Sequence, residues 1–423
     1  MKFCFSLKEF FNLKEAETMK SSFKWFKGML VLGIIIGLVV SLNTGAFAKD
    51  VIKFGCAISF TGNKSRTGKL YVDSLNLAKD TINKAGGIKV GGKSYLVDIK
   101  YYDDKSDPME SSKLVEKLIV EDKVNFLIGP YSSGITIPDS IVAQRYKIPM
   151  VEGGGASGKI FSRKNHYIFG TLPAASQYFR STLEMLSGFK PRPKTIAIIF
   201  GDDKFDLSVA KGVKSSAKDF GLKIVLYEKI SESSADFNTI LTKVKSLNPD
   251  ALLMAGHTMG AINLIQQAKE LDVNPKMISM TVGPSESDFR KSLGKDAEYI
   301  FGVASWSPQM NFKGTIFNNT KEFVKTFKKK YNYDPDYHNA SAVAVLAVYK
   351  NAIERAGSLD PKKVRDEIAK TKIETIYGPV QFNPNGQIKG TSVVLQIQGG
   401  QVYQVYPKGT KKPIYPMPKW NER

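Results

Sequence analysis

The sequence predicts an α/β protein built from two doubly wound lobes. Three observations carry this. Short apolar runs alternate with amphipathic stretches along most of the chain. The amphipathic stretches repeat apolar residues at three- and four-residue spacing, the helical period, whereas the runs are too short for helices and read as buried strands. Repeated strand–helix alternation implies parallel sheets with helices on both faces, and nine strand units are more than one such sheet usually holds.

In chain order, the strands are expected at Val51–Ala57, Leu96–Tyr102, Val124–Ile128, Ile148–Val151, Thr195–Phe200, Lys223–Tyr227, Ala251–Ala255, Met277–Met280 and Ile300–Ala304. Most are apolar on both faces, as strands covered by helices on both sides are, whereas Leu96–Tyr102 carries Asp98 and Lys100. The helices between them are expected at Leu70–Lys84, Pro108–Glu121, Thr136–Tyr146, Gln177–Leu186, Ser208–Phe220, Phe237–Ser246 and Met259–Leu271. From Ile316 the texture becomes helical, with helices at Ile316–Tyr331, Asn339–Ala356 and Pro361–Lys370. After Thr375 the turn signals NPNG and IQGG mark a return to short strands. A helical stretch followed by strands implies that the chain crosses between lobes more than once. No low-complexity linker separates the lobes, so a hinge couples them.

The first segment reads as an address. Basic KSSFKWFKG (20–28) precedes the uncharged run MLVLGIIIGLVVSL (29–42), and NTGAFA follows with Ala46 and Ala48 in the small-residue positions. That is the order of a secretory signal peptide cleaved after Ala48, with Met19 as an alternative start. A retained anchor is the competing reading, but the apolar run is short against the roughly 20 residues of a span. Cleavage removes six Lys and three Glu, so the formal charge of +21 becomes +18 on the exported chain. It leaves Cys56 as the sole cysteine, within the first strand, where a thiol behaves as a small hydrophobe.

Two cysteines exclude a disulfide scaffold and multi-cysteine metal centres, and no metal or cofactor is expected. GNKSRTGKL and GGGASGKI approach the phosphate-loop pattern, but Leu70 and Ile160 stand where its Ser/Thr belongs, and the first has one residue too many. There is no G-x-S-x-G elbow, and His166, His257 and His338 are scattered, so no catalytic residues are expected. The lysines are dispersed rather than grouped in a nucleic-acid motif, which argues against DNA or RNA partners. The glycine turn Gly153–Ala156 and the turn Gly129–Ser133 each follow a strand. Bare amides and helix starts at the carboxyl edge of an open sheet suit a carboxylate ligand. Ordinary strand–helix turns are the competing reading.

Several segments occur together in a fixed order: IKFGCAISFTGNKSRTG, LAKDTINKAGGIKVGGKSYLVDIKYYDDKSDP, VNFLIGPYSSG, IPMVEGGGAS, the GDD turn after TIAIIF, and YGPVQFNPNGQIKG. With these the chain resembles type I periplasmic solute-binding proteins, of the branched-chain amino-acid (Leu/Ile/Val) receptor family of ABC transporters, over nearly all of 49–412.

The resemblance implies two α/β lobes joined by a three-crossover hinge. Lobe one would be 49–172 plus 305–378, and lobe two 173–304 plus 379–423. It implies ligand-binding positions at Arg66, Thr67, Ser133, Gly154, Gly155 and Ala156 in lobe one. In lobe two it implies Phe205, His257, Ser285 and Glu286. It further implies a monomeric periplasmic receptor, not an enzyme, that hands a small amino acid to a membrane permease. Three positions depart from the family pattern: Ala174 stands where an acid grips the ligand ammonium, Ala156 where a Thr is usual, and Thr67 where an aromatic is common. An aromatic or aliphatic carboxylate or an amide is the alternative ligand. A secreted α/β enzyme or a sensor lobe is the alternative role.

Overall fold

The computed structural model describes residues 50–162 and 165–423. The expected signal peptide and Met19 lie outside the described residues. The rest forms two sheets wrapped by helices, and each of the nine expected strands is present.

The first sheet contains β1 (Val51–Ile58), β2 (Ile88–Val90), β3 (Lys93–Asp103), β4 (Phe126–Ile128), β5 (Met150–Glu152) and β6 (Ile168–Gly170), in the order β2-β3-β1-β4-β5-β6. All its pairs are parallel except the β2–β3 hairpin. Its helices include α1 (Ser65–Lys84), α2 (Pro108–Val120) and α3 (Ser133–Tyr146). Asp107 starts α2 by accepting the Met109 and Glu110 amides, with Pro108 at the first helical position, where no amide hydrogen is needed.

After a short helix, α4 (Arg180–Gly188), the chain enters the second sheet. This contains β7 (Thr195–Gly201), β8 (Lys223–Ile230), β9 (Ala251–Ala255), β10 (Met277–Met280) and β11 (Phe301–Ala304). The helices α5 (Lys204–Ser216), α6 (Asn238–Leu247), α7 (Thr258–Glu270) and α8 (Ser287–Leu293) connect them. The chain then returns to the first sheet with α9 (Thr320–Tyr331), α10 (Tyr337–Ala356) and α11 (Pro361–Ala369), followed by the hairpin β12 (Lys372–Thr375) and β13 (Gly378–Gln381). It crosses a third time to add β14 (Val393–Gln398) and β15 (Gln401–Tyr406), antiparallel, on the edge of the second sheet, whose order is β15-β14-β11-β10-β9-β7-β8.

The last crossing comes later than residue 378, where the boundary was expected. Gln387 bridges Gly170 beside β6, and Ile388 donates its amide to the Gly170 carbonyl, so the chain stays with the first sheet to residue 388. The NPNG turn that suggested a new lobe instead folds Phe382 back onto Ile388.

In the first lobe α10 is buried along most of its length between α1 and the sheet. Tyr349 from α10 packs against Phe54 and Phe126, with ring centroids 5.0 and 5.4 Å away. Its hydroxyl accepts the Val151 amide at 3.1 Å and donates to the Leu127 carbonyl at 2.5 Å, so burial leaves no polar atom unpaired there. Cys56 is fully buried, and burial pushes its thiol well above the ordinary range. No helix among the described residues is long and apolar enough to cross a membrane.

The topology fixes where a site can form. Strand order reverses between β1 and β4 in one sheet and between β7 and β9 in the other. Loops diverge at such points and leave a crevice at the strands' carboxyl ends. The four loops leaving β1, β4, β7 and β9 hold Lys64, Tyr131, Asp203 and His257.

Candidate functional site between the lobes

A narrow crevice, with room for little more than a water molecule, lies where these loops meet. The first lobe contributes Tyr131, Ser132, Ser133, Gly154 and Ala156, with Tyr337 and His338 from the first turn of α10. Tyr178, Phe205, His257 and Val282 close it from the second-sheet side, and Leu172 from the crossing between lobes. Half of the wall carries rings, the two histidines included, and among the described residues it includes no Asp, Glu, Lys or Arg.

Its aromatic parts interlock edge to face, the arrangement favoured by ring quadrupoles. Tyr178 meets Phe205 at 5.1 Å, and Tyr131 meets both His257 at 5.6 Å and His338 at 5.3 Å. The Tyr178 hydroxyl and Ser132 Oγ are buried without a hydrogen-bond partner. Such groups are rare in a folded interior and mark a place where another polar atom belongs.

Of the expected ligand positions, Ser133, Gly154, Ala156, Phe205 and His257 come together on this wall. The glycine turn, however, does not offer free amides. Gly154 and Gly155 donate to Glu152 Oε2 at 3.0 and 2.5 Å, and the Ala156 and Ser157 amides donate to Ser133 Oγ, each at 3.0 Å. Glycine is needed at 154 for a different reason: a Cβ there would sit 2.5 Å from the Pro130 carbonyl oxygen, so the two turns could not approach.

Arg66 lies off the wall, partly exposed, 3.7 Å from Asp288. Ser285 faces a separate cavity beside Arg290 and Trp306. Thr67 and Glu286 lie behind the wall and bond to each other across the cleft at 3.2 Å. Glu286 also accepts from Thr258 at 2.7 Å. Burial pushes the Glu286 carboxyl up to about 7, helped by the Asp336 carboxylate.

A second chain of bonds crosses the cleft. The Tyr131 hydroxyl lies 2.6 Å from His257 Nδ1, and His257 Nε2 lies 2.8 Å from Asp203 Oδ2. A carboxylate only accepts, so Nε2 carries a proton. Burial, with the nearby Lys64 ammonium, depresses the basicity of His257. The neutral ring then accepts from Tyr131 at Nδ1. Burial alone would raise the Asp203 carboxyl, but His257 and Lys64 outweigh it and hold it below the carboxylate range.

Two groups bring carboxylate and imidazole atoms within 4.8 Å of one another: Asp203, Asp206 and His257, and Glu286, Asp336 and His338. In the first, Lys64 supplies positive charge from the other lobe. In the second, His338 Nδ1 bonds Asp336 at 2.9 Å. Both have the donor types for a metal ion; in each the imidazole bonds one carboxylate, Asp203 or Asp336, while the Asp206 carboxyl has no hydrogen-bond partner.

Tyr131, Leu172, Tyr178, Val282, Tyr337 and His338 were not singled out from sequence. All but Tyr178 lie just after a strand or just inside a helix start, the same placement that drew attention to the glycine turn.

Two sheets whose switch points face each other across a narrow crevice define a bilobal solute-binding fold. The chain belongs to the periplasmic binding protein family, whose model it matches over residues 51–401. Among its relatives is the leucine-, isoleucine-, valine-, threonine- and alanine-binding protein of Pseudomonas aeruginosa, 25% identical over 81% of this chain and 89% of the relative. Similar folds include the branched-chain amino acid transporter substrate-binding protein LivJ from Streptococcus pneumoniae in complex with isoleucine. Its TM-score is 0.76 at 22% identity, covering 87% of this chain and all of that one. A solute-binding protein of an ABC transporter from R. palustris in complex with benzoate has a TM-score of 0.74 at 19% identity, covering 84% and 95%.

Proposed function

We propose that the chain is the substrate-binding component of an ABC importer. It acts as a monomer exported to the periplasm after cleavage at Ala48, and captures a branched-chain or related small amino acid for a membrane permease. The observation that carries this reading is the narrow crevice at both switch points, lined by aromatic, aliphatic and small polar residues and bridged by bonds from each lobe. Family membership and the amino acids named for the relatives support it. Binding needs no covalent chemistry: closure of the lobes excludes water and strengthens each polar contact within.

A ligand carboxylate fits best at the start of α3. The amides of Ser133 and Gly134 open that helix and have no acceptor within it, whereas the glycine-turn amides are already taken. The apolar side chain would lie against Tyr178, Phe205, Leu172 and Val282.

One observation favours a second reading, an aromatic or aliphatic monocarboxylate without an ammonium group. The wall carries no carboxylate to pair with an ammonium, and Ala174 replaces the acid expected there. Titration calorimetry with leucine, isoleucine and valine, beside benzoate and 4-methylpentanoate, separates the two. Micromolar binding of an amino acid supports the first reading. Binding confined to the deaminated acids transfers the assignment to the second, and heat from none of the five overturns both.

A further inference from the structure

We propose that Lys64 is a positioning residue for ligand capture, acting as a latch between the lobes: its ammonium enters an acidic socket on the second lobe, and so fixes the His257–Tyr131 side of the ligand wall. The inference rests on the solute-capture reading above and adds to it a determinant of ligand residence time.

Lys64 precedes α1 on the first lobe, and its side chain is only 6% exposed, unusual for a lysine. Its partners all belong to the second lobe. Nζ lies 2.7 Å from Glu232 Oε2 and 3.7 Å from Asp203 Oδ2. Asp206, fully buried beside them, has neither carboxylate oxygen hydrogen-bonded. Asp202 holds the socket's rim by accepting the Glu232 amide at 3.0 Å. The socket therefore gathers four carboxylates, and Lys64 brings a full positive charge to it from the other lobe.

From the socket the bonds lead to the ligand wall. Asp203 Oδ1 accepts the Asp206 amide and Oδ2 receives His257 Nε2–H, so the imidazole ring is held in one orientation. His257 Nδ1 in turn holds the Tyr131 hydroxyl, which belongs to the first lobe. The path thus leaves the first lobe at Lys64 and re-enters it at Tyr131, and it can be complete only when the lobes are closed. Withdrawal of Lys64 leaves the mostly buried Asp203 carboxylate beside Glu232 without its cation, which favours opening and hydration. Interactions made only after closure act on dissociation more than on encounter.

The test uses the full mature protein and two variants, Lys64→Met and Glu232→Gln. The second alters only a rim residue and leaves the core intact. Stopped-flow binding of leucine, or of benzoate where that is the ligand bound, should show koff raised about tenfold, equivalent to about 1.4 kcal/mol, with kon within about twofold. Lys64→Arg should restore most of the lifetime. Spin labels at Met109→Cys and Met259→Cys, exposed on opposite lobes, read closure without ligand, while buried Cys56 stays unlabelled. A short-distance population present in the wild type and lost in Lys64→Met supports the latch. Identical distance distributions, or an unchanged koff in both variants, overturn it. Should the wild type bind neither probe, the capture reading fails, and the label distances still decide the latch.

Discussion

Glu152 accepts the Gly154 amide at 3.0 Å, and this bond changes the meaning of the glycine turn. A turn that looks in sequence like an open anion cradle is filled from beneath by the protein's own carboxyl. Burial pushes that carboxyl up to about 8, against the opposing pull of the two amides it accepts.

The titration of Glu152 has a defined sign. Its folded pKa is raised, so its contribution is fully present below the unfolded value near 4.5 and is lost as pH rises through about 8. Across that window the slope approaches 1.4 kcal/mol per pH unit for one group. Glu286 adds in the same direction, so the informative quantity is the difference between variants. Glu152→Gln should show a shallower loss of urea-unfolding free energy between pH 5 and 8 than the wild type. Parallel curves would remove Glu152 from the account.

Ser133→Ala should reduce ligand affinity and stability together. The hydroxyl takes two buried amides, Ala156 and Ser157, and its removal strands both. An unpaired buried amide costs about 1–3 kcal/mol, so the unfolding free energy should fall by at least that much and the denaturation midpoint with it. Weakened binding with an unchanged midpoint would mean the hydroxyl serves the ligand alone.

Tyr178→Phe should separate the two effects. The hydroxyl is buried with no partner, so its loss should leave the unliganded protein's melting temperature unchanged or higher. Affinity should fall five- to tenfold, about 1 kcal/mol, the net value of one hydrogen bond. Undiminished affinity would place the ligand's polar atoms elsewhere.

Arg66→Ala should change affinity less than about twofold. The guanidinium lies away from the cavity and pairs with Asp288 in an exposed setting, where such pairs contribute about 0–1 kcal/mol. A tenfold loss by calorimetry would return Arg66 to the site.

The fold was legible in sequence because buried parallel strands such as TIAIIF are apolar on both faces, and their helices carry a regular apolar stripe. Three strands escaped notice: Ile88–Val90 and Ile168–Gly170, each only three residues long, and Lys372–Thr375, just before the expected return to strands. Three helix starts that face the cleft were read too late. α1 begins at Ser65 rather than Leu70, α3 at Ser133 rather than Thr136, and α5 at Lys204 rather than Ser208. The cause is physical: an apolar stripe records the face packed on a sheet, whereas a first turn pointing into a cleft is under no such constraint. Those unread turns hold Thr67, Ser133 and Phe205, which a resemblance to known receptors supplied and periodicity did not. Lys64 was invisible for a related reason: an isolated lysine among dispersed lysines has no pattern, and its burial follows from a partner 168 positions away.

The third crossing has a consequence for synthesis. The second sheet is not finished until β14 pairs with β11, and the indole of Trp420, near the chain's end, still has to bond the Val273 carbonyl. The first sheet waits in turn for α10, more than 160 residues after its own last strand. Neither half therefore has all its elements until the final quarter of the chain is being made. Such long-range pairing slows folding. Under the export proposed above, the delay would keep the chain unfolded and threadable while most of it is made.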